Sequence, residues 1–303
     1  MIAETGLNTG GPNSTVARGS ELIGPLNPYL SFADSPFSPA NGGQFDEFYL
    51  EDFEDFALDT PGVSGSGMVF TSPTNADSVD ADDGIIDGNG SGGVSYRAGP
   101  PIPTVAFDFE PIFDGNYPSH VGLVWTDGLP MNITTTFEAF DGNGASLGLI
   151  EAMIADGSNT GETADDHFFG AVSTIGISRV TISNNNVDTF SVEMDHLQYG
   201  RGLVCLDSLD RDGDGVSDLQ DNCIAVSNAD QRDTNGDGFG NVCDTDLNND
   251  GVVNFSDLQE LKMVFFDAGD LDADFNGDFV VNFLDLIVMK ETFFGFVGPS
   301  CTN

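Results

Sequence analysis

From Phe45 to Tyr199 the chain alternates short apolar runs with Gly, Asn and Asp turns: Val121–Trp125, Ile133–Phe140, Leu147–Ala152, Phe168–Val172, Ile175–Ile182 and Phe190–Leu197. Runs at this spacing, with almost no helical periodicity, predict short strands of an antiparallel β-sandwich or jelly roll. Asp141-Gly142-Asn143-Gly144 lies between two runs and predicts a hairpin, because its glycines and Asn tolerate positive φ. Phe45 to Phe56 alternates aromatic and acidic residues, which suits a strand with one buried face. Residues 1–44 carry Gly11, Pro12, Pro25, Pro28, Pro36 and Pro39 among Ser and Asn, and read as an extended arm or linker of which part can pair as a strand.

After Gly202 the texture changes to a ladder of Asp, Asn and Gly, so a domain boundary is expected near 200–206. The ladder fits one 12-residue template four times. Asp210, Asp212, Asp214, Val216, Asp218 and Asp221 occupy positions 1, 3, 5, 7, 9 and 12 of the first copy, and Asp233, Asn235, Asp237, Phe239, Asn241 and Asp244 those of the second. The third copy has Asp246, Asn248, Asp250, Val252, Asn254 and Asp257, the fourth Asp274, Asn276, Asp278, Val280, Asn282 and Asp285. Calcium takes 6 to 8 oxygens, and side chains at 1, 3, 5 and 12 with a backbone carbonyl at 7 and a water at 9 supply them. Glycine at position 6 permits the sharp turn, and Phe279 in the fourth copy departs from it. About four calcium sites are expected, and Asp77, Asp80, Asp82, Asp83 and Asp87 form a candidate fifth cluster without the template spacing.

Composition narrows the reading. Fifty acidic and eight basic residues give a net charge of -42, with lysine only at 262 and 290. A nucleic-acid binder is excluded as an expectation, because phosphate contact needs a cationic surface. Twenty-five phenylalanines argue against a purely disordered acidic chain. No apolar run approaches the length of a transmembrane helix. Met1–Gly11 shows neither a basic nor an apolar signal-peptide region, so any secretion signal is expected to be removed or missing from this start. Cys205, Cys223, Cys243 and Cys301 show no zinc-type CxxC pairing and suit an oxidised, extracellular setting. Four cysteines allow three connectivities.

Asp210-Arg-Asp-Gly-Asp-Gly-Val-Ser-Asp-Leu-Gln-Asp-Asn-Cys223, Asn228-Ala-Asp-Gln231 and Asp233-Thr-Asn-Gly-Asp-Gly-Phe-Gly-Asn-Val-Cys-Asp244 resemble a pair of thrombospondin type 3 repeats. The resemblance implies a chain wrapped around calcium with a Cys223–Cys243 bridge, which leaves Cys205 with Cys301. The third and fourth copies run into Leu258–Phe266 and Leu284–Phe294, whose spacing is that of paired amphipathic helices. Asp-x-Asn-x-Asp-Gly-x-Val-Asn-x-x-Asp, followed by Leu258 and Leu261-Lys262, resembles a dockerin type I duplication, which implies calcium-dependent folding and a cohesin-type partner. Phe255-Ser256 and Phe283-Leu284 stand where that family reads its partner, and apolar residues there also suit docking on a neighbouring domain. Asp195-His-Leu-Gln-Tyr-Gly200, with the acidic-aromatic stretch, is similar to exported bacterial jelly-roll domains.

The expected organisation is an arm (1–44), a jelly-roll-like β-sandwich (45–203), thrombospondin type 3-like calcium repeats (204–245) and a small α-helical dockerin-like paired-loop module (246–303). Catalysis has little support. Gly144-Ala-Ser-Leu-Gly148 matches GxSxG only formally, Trp125 sits in an apolar run, and His120, His167 and His196 are scattered. Glu162–Phe169 places carboxylates near His167, and Asn13, Asn89 and Asn132 begin glycan acceptor sequons. The leading expectation is a non-catalytic extracellular calcium-binding structural or adhesive protein. Its expected partner is a second copy or another extracellular protein, in a surface filament or matrix. The alternative is a carbohydrate-binding module anchored to a cohesin-type partner, with a secreted glycoside hydrolase third.

Overall fold

A computed structural model describes residues 19–41, 45–72, 76–83, 85–88, 90, 93–98, 104–127, 133–154, 163, 166–185, 192–206, 209–269, 271–294 and 298–301. The side chain of Asp83, the asparagines of the three sequons and Glu162 lie outside the described residues. The chain forms two compact units, 1–204 and 205–303.

Twelve strands lie among the described residues of the first unit: β1 (Ser20–Leu26), β2 (Phe45–Glu51), β3 (Val63–Gly65), β4 (Met68–Thr71), β5 (Val94–Arg97), β6 (Thr104–Phe109), β7 (His120–Asp127), β8 (Thr135–Phe140), β9 (Ser146–Ala152), β10 (His167–Ser173), β11 (Arg179–Asn184) and β12 (Glu193–Gly202). One sheet runs β1-β10-β7-β12-β5-β4, with β2 also on β12, and the other β3-β6-β11-β8-β9. All pairings are antiparallel. Within them β5-β12-β7-β10 faces β6-β11-β8-β9, the interleaved order of an eight-stranded jelly roll.

Aromatic pairs stitch the two sheets: Tyr96 to Phe107 at 5.2 Å, Phe109 to Tyr199 at 5.0 Å and Phe137 to Phe169 at 5.9 Å between ring centres. Trp125 is fully buried, as its apolar run implied. The Asp141 turn joins β8 to β9. The Asp141 carboxylate accepts from Asn143 N and Ala145 N, both at 2.8 Å, and these bonds lower its pKa. Ser146 opens β9 beside that turn, with no strand-to-helix elbow.

The first sheet is covered on its outer side too. Ser20–Leu26, within the stretch read as an arm, pairs with β10 at the sheet edge. The following residues lay Tyr29 and Phe37 over the strands, where Phe37 meets Phe168 at 5.4 Å and His120 at 5.3 Å. Gly122 and Gly170, paired across β7 and β10, leave room for these rings. Burial pulls His120 down to about 4, so it is neutral at physiological pH. β2 ends at Glu51, because Phe53 and Phe56 adopt positive φ and turn the chain away.

Among the described residues of the second unit are two α-helices, α1 (Phe255–Met263) and α2 (Phe283–Thr292). Asn254 and Asn282 cap them, with Asp257 and Asp285 completing reciprocal capping boxes. The halves interlock: Phe266 N donates to Val281 O and Phe294 N to Val253 O, both at 2.8 Å. Val253, Leu261, Ala273, Phe275, Val281 and Met289 form a small core between them. Cys205–Cys301 and Cys223–Cys243 are bridged, and the first closes a sequence separation of 96.

Phe137→Ala should destabilise the first unit by about 3–5 kcal/mol, since it empties a fully buried position between the sheets. Denaturant unfolding followed by Trp125 fluorescence measures this, and a loss below about 1 kcal/mol would contradict the packing described.

Candidate calcium loops

The four loops share one backbone design. The position 1 carboxylate accepts from the turn that follows: Asp210 from Gly213 N at 2.8 Å, Asp233 from Gly236 N at 2.7 Å, Asp246 from Gly251 N at 2.6 Å and Asp274 from Phe279 N at 2.9 Å. Position 3 accepts from the amide of position 5, through Asp212, Asn235, Asn248 and Asn276. Position 5 accepts from that of position 7, so Asp214, Asp237, Asp250 and Asp278 hold Val216, Phe239, Val252 and Val280. Positions 4 and 6 take positive φ in every loop: Gly213 and Gly215, Gly236 and Gly238, Asn249 and Gly251, Gly277 and Phe279. Phe279 therefore keeps the turn, at φ 65°, in a conformation that disfavours a bulky residue.

Positions 9 and 12 divide the loops into two pairs. In the first two loops position 9 reaches back to the amide of position 2: Asp218 accepts from Arg211 N and Asn241 from Thr234 N, both at 2.8 Å. In the last two loops position 9 is the helix cap, and position 12 reaches back instead. Asp257 accepts from Asn248 N and Asp285 from Asn276 N, both at 3.2 Å. Asp221 and Asp244, at position 12 of the first pair, flank the bridged Cys223 and Cys243. Asp221 accepts from Cys223 N, and Asp244 from Asp246 N.

Cross-links tie the pairs together. Arg232 donates to the Asp274 carbonyl at 2.5 Å and its carboxylate at 3.2 Å, lending positive charge to the fourth loop. Asp272, outside every template, stands in the fields of Asp233 and Asp237 of the second loop. Sequence spacing could not reveal it, because it comes from a segment some thirty positions along the chain.

The residues fit a hard cation. Carboxylate oxygens of Asp210, Asp212 and Asp214 lie within 4.8 Å of one another. Asp212 Oδ2 and Asp272 Oδ1 are buried without a hydrogen-bond partner, each close to other acids. Burial, then Asp237, Asp272 and Asp246, raise Asp244 to about 7. Burial, then Asp237 and Asp233, raise Asp272 to about 6. Such groups ask for a proton or a metal ion.

In the first unit the Asp77–Asp87 acids diverge. Asp80 accepts from Asp87 N and Gly88 N, whereas Asp82 faces His196, whose Nε2 lies 3.1 Å from its carboxylate. His196, scattered in sequence, is thus gathered with Asp82 and Asp195. Burial and then the neighbouring Asp82 push Asp195 well above the usual carboxylate range.

The thrombospondin type 3 repeat family model matches residues 198–231 and 232–258, a range that includes the first three loops. Cartilage oligomeric matrix protein of Bos taurus is 40% identical over 65 residues, covering 18% of this chain and 8% of that protein. Thrombospondin-4-B of Danio rerio is 43% identical over 65 residues, covering 18% and 7%. The chain thus spans under a tenth of the length of these relatives. Among solved structures, the C-terminal family 22 carbohydrate binding module of Clostridium thermocellum Xyn10B aligns at TM-score 0.30 and 10% identity, over 54% of this chain and 98% of that one. The xylan-binding domain from Paenibacillus barcinonensis Xyn10C aligns at TM-score 0.26 and 15% identity, over 53% and 99%. At these scores the likeness adds nothing to the strand order. The family match supports thrombospondin type 3 repeats in the segment that follows β12.

Two outcomes are expected. Without calcium, Asp244 and Asp272 bind protons more tightly folded than unfolded. Their contribution to stability is complete below the unfolded pKa near 4 and is lost as pH rises through about 6 to 7. Denaturation followed by circular dichroism in chelator at pH 5 and pH 7.5 checks the sign, and higher stability at pH 7.5 would contradict it. Phe279→Gly should stabilise the second unit by about 1 kcal/mol by relieving the positive φ. Loss of stability there would mean that the exposed ring packs usefully.

Proposed function

We propose that this is a non-catalytic extracellular calcium-binding structural or adhesive protein: a jelly-roll domain carried with a calcium-braced module that self-associates in a surface filament or matrix. The observation that carries the reading is the fourfold loop design, with carboxylates converged in the first loop and buried acids short of positive charge at the second. Calcium would be held by the side chains at positions 1, 3, 5 and 12, by the carbonyls of Val216, Phe239, Val252 and Val280, and through positions 9. Asp272 adds an oxygen to the second loop. The ion would supply positive charge that draws the turns shut, while the protein's amides orient the carboxylates.

We take 204–245 as the first pair of loops and 246–303 as a dockerin-like second pair. The two disulfides and the matrix proteins that share the repeats support secretion. For self-association the support is β1, which among the described residues pairs with β10 at the end of the sheet and which a neighbour could receive in trans. The carbohydrate-binding alternative has the jelly-roll fold in its favour. Against it, the chain's own residues cover much of the outer face of the first sheet, and Trp125 is buried.

Sedimentation and negative-stain imaging of the full chain, with calcium and with chelator, test this reading. Calcium-dependent polymers, lost on deleting residues 1–44, are expected. A strict monomer at high calcium that binds on a glycan array would favour the alternative instead.

A further inference from the structure

The first unit contains a second kind of polar centre, unrelated to the loops. On β12, Met194, Leu197 and Tyr199 point into the core. Strict alternation would then place Asp195 and His196 on opposite faces. The β12–β7 register shifts between Asp195 and Gln198, so that two residues of β12, His196 and Leu197, stand opposite one residue of β7. His196 takes φ 44°, and the bulge turns it to the same outer face as Asp195. Over that face the turn at Asp80–Asp83 delivers Asp82.

The three side chains are gathered and held. Ligand-type atoms of Asp82, Asp195 and His196 all lie within 4.8 Å of one another. Asp195 is fully buried and anchored by Val79 N at 2.9 Å and His196 N at 2.7 Å. His196 Nε2 lies 3.1 Å from each oxygen of Asp82, and Nδ1 lies 3.1 Å from the Tyr29 hydroxyl. Tyr29 is fixed in turn by Gln198 Nε2 at 2.7 Å, and Gln198 by the Ser35 hydroxyl at 2.5 Å. Asp82 Oδ2 is buried beside the His196 ring. The Asp82 and Asp195 carboxyls lie within hydrogen-bonding reach of each other, with the imidazole beside them.

We propose that Asp82, Asp195 and His196 form a divalent metal site of the jelly-roll domain, taking a zinc- or manganese-class ion through Nε2 and the two carboxylates. The imidazole sets it apart from the all-oxygen calcium loops, because nitrogen ligands suit transition ions and calcium prefers oxygen. The Ser35–Gln198–Tyr29 chain is the outer shell such a site needs. With Nε2 on the metal, Nδ1–H donates to the tyrosine oxygen and fixes the ring.

The test uses the full chain, stripped of metal and then held in excess calcium so that the loops are saturated. Mn2+ and Zn2+ are added as probes, and Trp125, which reports only on this domain, confirms folding in every sample. Wild type should take up one more Mn2+ or Zn2+ per chain than His196→Gln or Asp82→Asn. Bound Mn2+ should show imidazole nitrogen coupling by pulsed electron paramagnetic resonance, absent in His196→Gln. Tyr29→Phe should weaken binding roughly 10- to 100-fold while leaving the stoichiometry unchanged. Equal uptake by wild type and folded variants would overturn the proposal. So would wild-type Mn2+ without nitrogen coupling, a result that needs no variant, or a centre that accepts calcium alone.

Discussion

Repulsion between carboxylates is the constraint on which the second unit depends. Residues 205–303 contain four basic side chains, Arg211, Arg232, Lys262 and Lys290, against four loops rich in Asp, the first of which gathers the carboxylates of Asp210, Asp212 and Asp214. Two of those bases are already paired, Arg211 with Asp218 and Arg232 with Asp274. Closing the loops without an ion therefore works against Coulomb repulsion and desolvation together, which is why Asp244 and Asp272 hold their protons to unusually high pH. The helices inherit the dependence, since each begins inside a loop with position 9 as its cap and position 12 as its third residue.

The jelly-roll unit rests on a different foundation. Its core is apolar and aromatic, built from both sheets and sheathed on one side by the chain's own preceding segment. The second unit has a small apolar core by comparison, and two disulfides and the reciprocal bonds from Phe266 and Phe294 restrict its open states. The first unit is thus stabilised chiefly by burial, whereas the second must offset the repulsion among its own carboxylates.

Most of this was legible where the information is local. The loop register from Asp210 to Asp285 is written in spacing alone, and the strands and the Asp141 hairpin follow from alternation and turn residues. The disulfide pairing came through resemblance, because spacing left three connectivities open. What stayed hidden is non-local. Asp272 and Arg232 lie outside every template and act on loops distant in sequence. Asp82 and His196 are separated by 114 positions and meet because a bulge breaks the alternation that sequence reading assumes. That part of the arm can pair as a strand was legible, but the partner of Ser20–Leu26 was not, because it lies about 150 residues away.

The most direct measurement is amide hydrogen exchange of the full, disulfide-intact chain in calcium and in chelator. The account predicts that amides of residues 205–301 lose protection at least about 100-fold when calcium is removed, while those of β5 to β12 are unchanged. Equal protection of residues 205–301 in both conditions would contradict the claim that the ion holds this unit together.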